Sequence, residues 1–304
     1  MHQIAELLHL AFRQEDAIYR IGRILQAARA GGFSPKKLFA VVVAVFEMFG
    51  SVLADRPLTP AGQPLDLTGY ELVFCDEFDG DALDTDAWRY RGSGRRRGGF
   101  NGEQAVRVED GNLIITAAYL ENGDYGEGWY VGAVALKQFY KKGYFEIRCK
   151  CSPGGDFWSA FWIQAQHPYD HELSKGGVGG AELDIFEAME GAAKNRTVRN
   201  SVSQTIHCNG GDGDRENIDS RMLGSFKGND IYETYNTYGL EWTDSEYIFY
   251  INGVETTRSS FSLGVSEVPE EVIVSLELPE KISKEKDYTT SFIVDYVKIW
   301  QKAV

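Results

Sequence analysis

The segment AELDIFE, residues 181–187, holds three acidic side chains, Glu182, Asp184 and Glu187. In an extended strand alternate side chains share a face, so Glu182 and Asp184 would point one way and Glu187 the other way. A β-bulge places one extra residue in a strand and would return Glu187 to the face of the other two. The spacing therefore predicts a bulged strand with three carboxyl groups in a row.

Three neighbouring carboxyl groups repel one another when they are ionised, so a purely structural reason for the row is hard to find. Glycoside hydrolysis with retention of configuration uses two carboxyl groups about 5 Å apart. One is ionised and attacks the sugar carbon, while the other is protonated and releases the leaving oxygen. A third carboxyl group between them keeps their protonation states apart. Spacing alone also allows a solvated acidic strand or a cation site.

The composition of the 304-residue chain favours an all-β globular protein. Aromatic residues make up 13% of the chain and 33 residues are glycine, a mixture typical of many strands joined by tight turns. Short runs of alternating or β-branched residues recur between turn signals from residue 70 to residue 300, a spacing that predicts a two-layer sandwich. The formal charge of -14 disfavours nucleic acid as a partner, because it would repel a phosphate backbone.

Residues 1–55 have a different, helical pattern, with a predicted helix start at Ser34 and Pro35. The helix that follows is apolar nearly all round from Leu38 to Phe46, but Glu47 interrupts it before the roughly 20 apolar residues that a membrane span needs. We predict a helical extension or an atypical export segment at residues 36–54. The protein would be extracellular in the second case and cytoplasmic in the first.

Three prolines between residues 56 and 69 indicate a linker, and residues 70–304 would then form the main domain. An uncleaved apolar helix needs a cover, which a second copy of the chain could supply. The sequence does not reveal the oligomeric state.

The four cysteines show no C-x-x-C spacing. Cys149 and Cys151 would lie on one face of the same strand, where residues two apart are poorly placed to bond to each other. We expect four free thiols, at Cys75, Cys149, Cys151 and Cys208.

The segment GAELDIFE resembles the E-x-D-x-x-E signature of glycoside hydrolase family 16, in the bulged form typical of laminarinase-like members. Further segments resemble the family in the same order along residues 70–300: FCDEFDGDALDTDAW, FNGEQAVRVEDGNLIITA, KKGYFEIRCKCSPGGDFWSAFWIQ, YNTYGLEWTDSEYIFYINGVE and FIVDYVKIW. The resemblance implies a curved β-jelly-roll sandwich of the concanavalin A-like kind, whose concave face is a glycan cleft.

Matched position by position, the resemblance implies that Glu182 is the nucleophile, Asp184 the assisting acid and Glu187 the general acid/base. The implied activity is that of a retaining endo-β-glycan hydrolase on β-1,3- or mixed β-1,3/1,4-glucan. The alternatives are an endo-hydrolase of a galactose-containing polysaccharide (galactan, algal or mucin-type glycan), a transglycosylase, and a non-catalytic glycan-binding protein.

The resemblance also implies a set of substrate-binding side chains along the cleft. Glu146 and Arg148 would lie on the cleft face beside the nucleophile, or else form an ordinary cross-strand pair. The two tryptophans could stack on sugars or belong to the core, and His207 could instead be a strand histidine with a structural partner. The full set is Asn101, Glu103, Glu146, Arg148, Trp158, Trp162, His207 and Glu277.

The chain departs from the family in two places. Laminarinase-like members carry a Trp-Pro pair just before the signature, where this chain has glycines at residues 176, 177, 179 and 180. A stacking platform would then have to come from elsewhere, with Trp129 and Tyr130 as candidates. The second departure is the run Arg95, Arg96 and Arg97, either a solvated loop or a contact for a sulfated or acidic glycan.

No catalytic cofactor is expected. Some relatives have a structural cation on the convex face, and here Asp76, Glu77 and Asp295 could hold a calcium ion of that kind. The expected partner is a polysaccharide substrate, without nucleic acid and without a stable membrane span.

Overall fold

The computed structural model describes residues 57–165, 179–189, 200–208, 219–260 and 264–303. These residues form strands and one 3-10 helix, Glu103–Ala105. The helical extension and the export segment predicted from the sequence lie outside them. Within the ranges described, no helix is long and apolar enough to cross a membrane.

Seven strands form one antiparallel sheet, in the order β13, β12, β11, β10, β17, β8, β2. Their bounds are β2 (Trp88–Tyr90), β8 (Ala133–Leu136), β10 (Trp158–Ala165), β11 (Ala181–Glu187), β12 (Ser201–Cys208), β13 (Asp219–Lys227) and β17 (Glu270–Glu277).

The second sheet has eleven strands, in the order β16, β15, β14, β9, β18, β6, β7, β4, β3, with β1 beside β18 and β5 beside β6. Their bounds are β1 (Tyr70–Asp76), β3 (Gly94–Arg96), β4 (Gly99–Asn101), β5 (Val106–Glu109), β6 (Asn112–Leu120), β7 (Gly128–Val131), β9 (Gly143–Lys150), β14 (Asn236–Trp242), β15 (Tyr247–Ile251), β16 (Val254–Ser259) and β18 (Thr290–Lys302).

The two sheets enclose one large apolar core, and alternation along each strand decides which side chains enter it. Phe145 and Ile147 of β9 and Phe161 and Ile163 of β10 are all fully buried in this cluster. Each such side chain contributes about 1.5–3 kcal/mol of stability through burial. The predicted two-layer β-sandwich is confirmed.

The segment that the sequence marks as a linker is bonded to the sandwich where it is described. The backbone N–H of Leu58 donates to Ser225 (2.8 Å), and those of Gly62 and Leu65 donate to Glu255 and Gly253. The division of the chain into extension, linker and main domain stays a prediction.

Three of the four cysteines lie among residues whose side chains are described. Cys75 is exposed, Cys149 and Cys151 are buried, and all three are free thiols, as predicted. The side chain of Cys208 lies outside the described part of the chain.

Candidate active site

Strand β11 contains the predicted bulge. On its β10 side, Phe161 pairs with Phe186 and the next residue, Trp162, pairs with Asp184, so Ile185 is the extra residue. The register shifts at the same place on the β12 side. Ile185 and Phe186 are both fully buried in the core between the sheets. Burial of these two adjacent apolar side chains stabilises the bulge.

The bulge places all three acids on the face of the seven-stranded sheet that points away from the core. Their pairing partners on β10 are alternate residues of that strand: Gln164 lies opposite Glu182, Trp162 opposite Asp184 and Ala160 opposite Glu187. The three carboxyl groups line one pocket. The sequence prediction for this row is therefore confirmed in its geometry.

Asp184, the middle acid, is only 4% exposed. Burial raises its pKa well above the ordinary range, and the charges of Glu187 and Glu182 raise it further. His207 opposes this effect, since its Nε2 lies 3.2 Å from Oδ2 of Asp184, and that hydrogen bond raises the pKa of His207 in turn. His207 thus faces the acids, as predicted.

The same groups could also bind a cation. Glu182, Asp184 and His207 each offer a ligand atom, and these atoms lie within 4.8 Å of one another. This is the cation-site alternative that the acidic spacing left open.

Each of the two outer acids accepts a hydrogen bond from β10. The indole Nε1 of Trp158 donates to Oε1 of Glu187 (3.0 Å), and Nε2 of Gln164 donates to Oε2 of Glu182. Burial is the main cause that raises the pKa of Glu187. A raised pKa favours the protonated form that a general acid needs near neutral pH.

Trp158 and Trp162 lie on the face that carries the acids, and they are 6% and 7% exposed. Together with Ala135, Ala160 and Ile273 they form a small buried apolar cluster, separate from the large core between the sheets. The guanidinium of Arg97 lies 5.0 Å from the ring centroid of Trp158, and that of Arg91 lies 4.6 Å from that of Trp162. Sugar stacking on either ring stays a prediction.

The arginine run contributes directly to the pocket. Oε2 of Glu277 accepts hydrogen bonds from Nε of Arg96 (3.0 Å) and Nη1 of Arg97 (3.3 Å). Glu277 lies opposite Trp158 across the strands, and Arg96, Arg97 and Glu277 line the pocket with the three acids. Only Arg95 points elsewhere, over the ring of Phe100.

The prediction for Glu146 and Arg148 is wrong. Both residues lie on β9, which pairs with β14 and β18 in the eleven-stranded sheet. Their neighbours Phe145 and Ile147 fill the core, so Glu146 and Arg148 point outward, away from the sheet of Glu182.

Both side chains have other partners on that outer face. Glu146 accepts hydrogen bonds from Tyr144 (2.7 Å) and Tyr296 (2.8 Å), while Arg148 pairs with Asp295. The motif FEIR marks a strand but carries no information about which sheet the strand joins.

Asn101 and Glu103 lie beside the pocket rather than in it. Asn101 is buried, and its Nδ2 donates to the carbonyl of Arg91 (3.3 Å), while Glu103 is exposed at the start of the 3-10 helix. A contact of either with substrate stays a prediction.

The two candidates for a replacement stacking platform are unsuited to that role. Trp129 packs in the core between the sheets. Tyr130 is fully buried, and its hydroxyl donates to the carbonyl of Gly126 (2.7 Å). The proposal that either ring serves as the platform is wrong.

The carboxylates considered for calcium have other partners. Asp76 accepts a hydrogen bond from Trp88 (2.8 Å), Glu77 pairs with Lys298 (2.7 Å), and Asp295 pairs with Arg148. This arrangement does not fit a calcium site formed by these side chains.

The sequence analysis did not identify two polar side chains of the site, Gln164 and Arg91. Gln164 is two residues after Trp162 on β10, so the alternation of that strand could have revealed it. Arg91 lies on a loop after β2, where no periodic signal exists.

A scan against family models matches residues 72–302 to the model described as "Beta-porphyranase A-D, GH16 domain". Among curated proteins, Glucan endo-1,3-beta-glucosidase A1 of Niallia circulans is 25% identical over 227 residues, which is 66% of this chain and 31% of that protein. Beta-porphyranase E of Zobellia galactanivorans is 30% identical over 195 residues, which is 59% of this chain and 65% of that protein. The match thus spans less than two thirds of either relative.

Solved structures with the same fold include SCLam, a non-specific endo-beta-1,3(4)-glucanase from family GH16, with a TM-score of 0.62, 22% identity and coverage of 82% of this chain and 98% of that chain. The laminarinase catalytic domain from Thermotoga maritima MSB8 gives a TM-score of 0.60 at 20% identity, with coverage of 77% and 99%. These similarities confirm the predicted jelly-roll sandwich.

Proposed function

Because this chain belongs to glycoside hydrolase family 16, we propose that it is a retaining endo-β-glycan hydrolase. The observation that carries the proposal is the bulge at Ile185, which brings Glu182, Asp184 and Glu187 to one face and one pocket. A hydrogen-bond donor on each outer glutamate gives these two carboxyl groups the separate surroundings that an acid and a nucleophile need.

In the first step the ionised Glu182 attacks the anomeric carbon of the sugar, and the glycosidic C–O bond breaks. The electron pair of that bond goes to the leaving oxygen, which takes the proton of Glu187. The products are a covalent glycosyl-enzyme and a free chain end.

In the second step Glu187, now a carboxylate, takes a proton from a water molecule. The water oxygen attacks the anomeric carbon, and the bond to Glu182 breaks with return of its electron pair to the carboxylate. Two inversions at one carbon give retention of configuration.

Asp184 supports a state in which Glu182 is ionised and Glu187 is protonated. Burial raises its pKa, so it holds a proton in conditions where an exposed aspartic acid would be ionised. A neutral group between the two glutamates leaves Glu182 to carry the negative charge of the row. His207, which contacts Asp184, fixes the orientation of that carboxyl group.

The first substrate candidate is a β-1,3- or mixed β-1,3/1,4-glucan. A curated relative over 227 residues is a glucan endo-1,3-beta-glucosidase, and solved structures of the same fold include a non-specific endo-beta-1,3(4)-glucanase and laminarinases.

A galactose-containing polysaccharide is the second candidate. The family model and one curated relative are β-porphyranases, and Arg96 and Arg97 line the pocket. Cationic side chains at that place suit a polysaccharide with anionic groups. Porphyran is therefore the test substrate for this candidate.

Product analysis on laminarin, barley β-glucan, lichenan, galactan, porphyran, agarose, carrageenan and mucin glycans tests both candidates. Glu182→Gln and Glu187→Gln are the matched controls, with circular dichroism to confirm that they fold. Oligosaccharides from a glucan that are absent with Glu182→Gln support the first candidate, and oligosaccharides from porphyran or another galactose polymer support the second.

Proton NMR of the first product identifies the stereochemistry, and a β-anomer is expected. An α-anomer would contradict the covalent mechanism. Binding without cleavage of any of these polysaccharides would overturn the hydrolase proposal in favour of a glycan-binding protein.

A further inference from the structure

A row of polar side chains crosses three strands of the seven-stranded sheet at the nucleophile. Glu182 on β11 lies opposite Gln164 on β10, and Gln164 lies opposite Glu271 on β17. Arg91 joins Gln164 to Glu271, because its Nη2 donates to Oε1 of Gln164 (2.8 Å) and its Nε donates to Oε2 of Glu271 (3.1 Å). The row ends at Glu182, to which Nε2 of Gln164 donates.

The contact with Arg91 decides which way the amide of Gln164 points. A guanidinium has only donors, so it requires the amide oxygen on its side. The amide nitrogen must then face Glu182. Without Arg91, the amide could turn by half a rotation and present its oxygen to a carboxylate, which is repulsive.

Arg91 itself is held firmly in its place. Its backbone N–H donates to the carbonyl of Ala133 (2.8 Å), and its own carbonyl accepts from Asn101 (3.3 Å). Its guanidinium lies over the ring of Trp162 and pairs with Glu271, which is only 6% exposed. A side chain fixed by an ion pair, an aromatic ring and its own backbone can impose an orientation on a neighbour.

Glu187, the proposed acid/base, does not need a second residue to orient its hydrogen-bond donor. Its donor is the indole Nε1 of Trp158, a group that can donate and cannot accept. Arg97 lies over that indole ring but does not determine the direction of the hydrogen bond. Only the nucleophile depends on an amide that has two possible orientations.

Building on the proposed function, we propose that Arg91 and Gln164 are positioning residues for the nucleophile. Arg91 sets the orientation of the Gln164 amide, and that amide holds Oε2 of Glu182 so that Oε1 makes the attack. Neither side chain needs to touch the sugar for this role.

The test compares Arg91→Met, Gln164→Leu and the double variant, with Arg107→Met as the control. Arg107 forms an exposed ion pair with Glu109 on β5 of the other sheet. Rates are measured on the natural glycan and on an aryl β-glycoside with an activated leaving group. The activated substrate does not need protonation by Glu187, so it isolates the attack by Glu182.

We expect each single variant to lower kcat by about 10- to 100-fold on both substrates with little change in KM, as for loss of a hydrogen bond to a charged group. The double variant should be no slower than Gln164→Leu, since Arg91 acts through Gln164. Additive losses, or a loss confined to KM, would overturn the proposal.

A second measurement does not depend on activity. In protein with ¹⁵N-labelled glutamine, the side-chain amide signal of Gln164, assigned with Gln164→Leu, should shift in Arg91→Met and in Glu182→Gln. Arg91→Met removes the partner of the amide oxygen, and Glu182→Gln removes the charge that the amide nitrogen faces. A Gln164 amide signal that is the same in both variants as in the wild type would refute the positioning role. If the wild-type protein cleaves no glycan and no aryl glycoside, the proposed function fails, and the amide signal still decides whether these contacts exist.

Discussion

Nε1 of Trp158 lies 3.0 Å from Oε1 of Glu187 and donates a hydrogen bond to it. This bond lowers the pKa of Glu187, while burial, the larger effect, raises it. The two opposing effects set the pH above which the proposed general acid is deprotonated. The alkaline limb of the pH-rate profile should report that point.

Trp158→Phe removes the donor and keeps an aromatic ring. The charged form of Glu187 then loses a hydrogen bond, so its pKa rises further and the alkaline limb of kcat/KM should move to higher pH. We expect about a tenfold loss of activity near neutral pH, as for one hydrogen bond to a charged group.

The pH profile of kcat/KM on the natural glycan measures this shift. Trp129→Phe, the same change in the core between the sheets, should leave the limb in place. A limb that moves to lower pH in Trp158→Phe would contradict the assignment.

Asp184→Asn should change the way stability depends on pH. Burial raises the folded-state pKa of Asp184 above its ordinary value of 3.8, so its contribution to stability is fully present below that value and is lost as pH rises through the folded pKa. The raised pKa of His207 acts in the same direction, because its pairing with Asp184 is lost as pH rises.

Asparagine carries no charge, so the melting temperature of Asp184→Asn should rise relative to the wild type as pH increases. Thermal unfolding at pH 5, 7 and 8.5 measures the difference, at about 2–4 °C per kcal/mol for a domain of this size. A difference that is constant with pH would show that Asp184 keeps the same charge in both states.

The sequence predicts the features of this site that depend on neighbouring residues, and it does not predict those that depend on contacts between distant parts of the chain. The bulge follows from the period of a strand and the positions of Glu182 and Glu187, which are local properties. The sheet to which Glu146 and Arg148 belong depends on long-range strand pairing, so the FEIR motif could not reveal it. Arg91 reaches Gln164 from 73 positions away in the sequence, and a loop arginine gives no periodic signal of such a contact.

Glu270 anchors the strand of the nucleophile. Its Oε1 accepts a hydrogen bond from the backbone N–H of Ala181 (2.9 Å), directly before Glu182, and burial raises its pKa to about 8. Glu270→Ala leaves that buried N–H without its acceptor and should lower the free energy of unfolding by about 1–3 kcal/mol.

Glu270→Gln keeps an acceptor for Ala181 and carries no charge. The raised pKa of Glu270 means that its contribution to stability is lost as pH rises through about 8, so the glutamine variant should gain stability relative to the wild type above that pH. Urea unfolding at pH 6 and pH 9 measures both variants. Equal effects of pH on Glu270→Gln and the wild type would show that the carboxyl group is ionised throughout.

Deletion of Ile185 tests the bulge itself. The deletion leaves Glu182, Asp184 and Glu187 at strict alternation, so a regular strand would still place all three on one face. The core loses one buried side chain, and the free energy of unfolding should fall by about 2–5 kcal/mol. Ile185→Ala is the matched control, because it loses packing and keeps the bulge.

We expect the deletion variant to fold and to retain a measurable fraction of wild-type activity. That activity should still depend on the acid/base, so the addition of Glu187→Gln should lower it further by about 10²–10⁴-fold. Product release from the natural glycan measures both rates. A folded deletion variant that is as inactive as Glu187→Gln would show that the bulge does more than set the register, because the extra twist that a bulge gives to its strand would then be needed to aim the carboxyl group at the leaving oxygen.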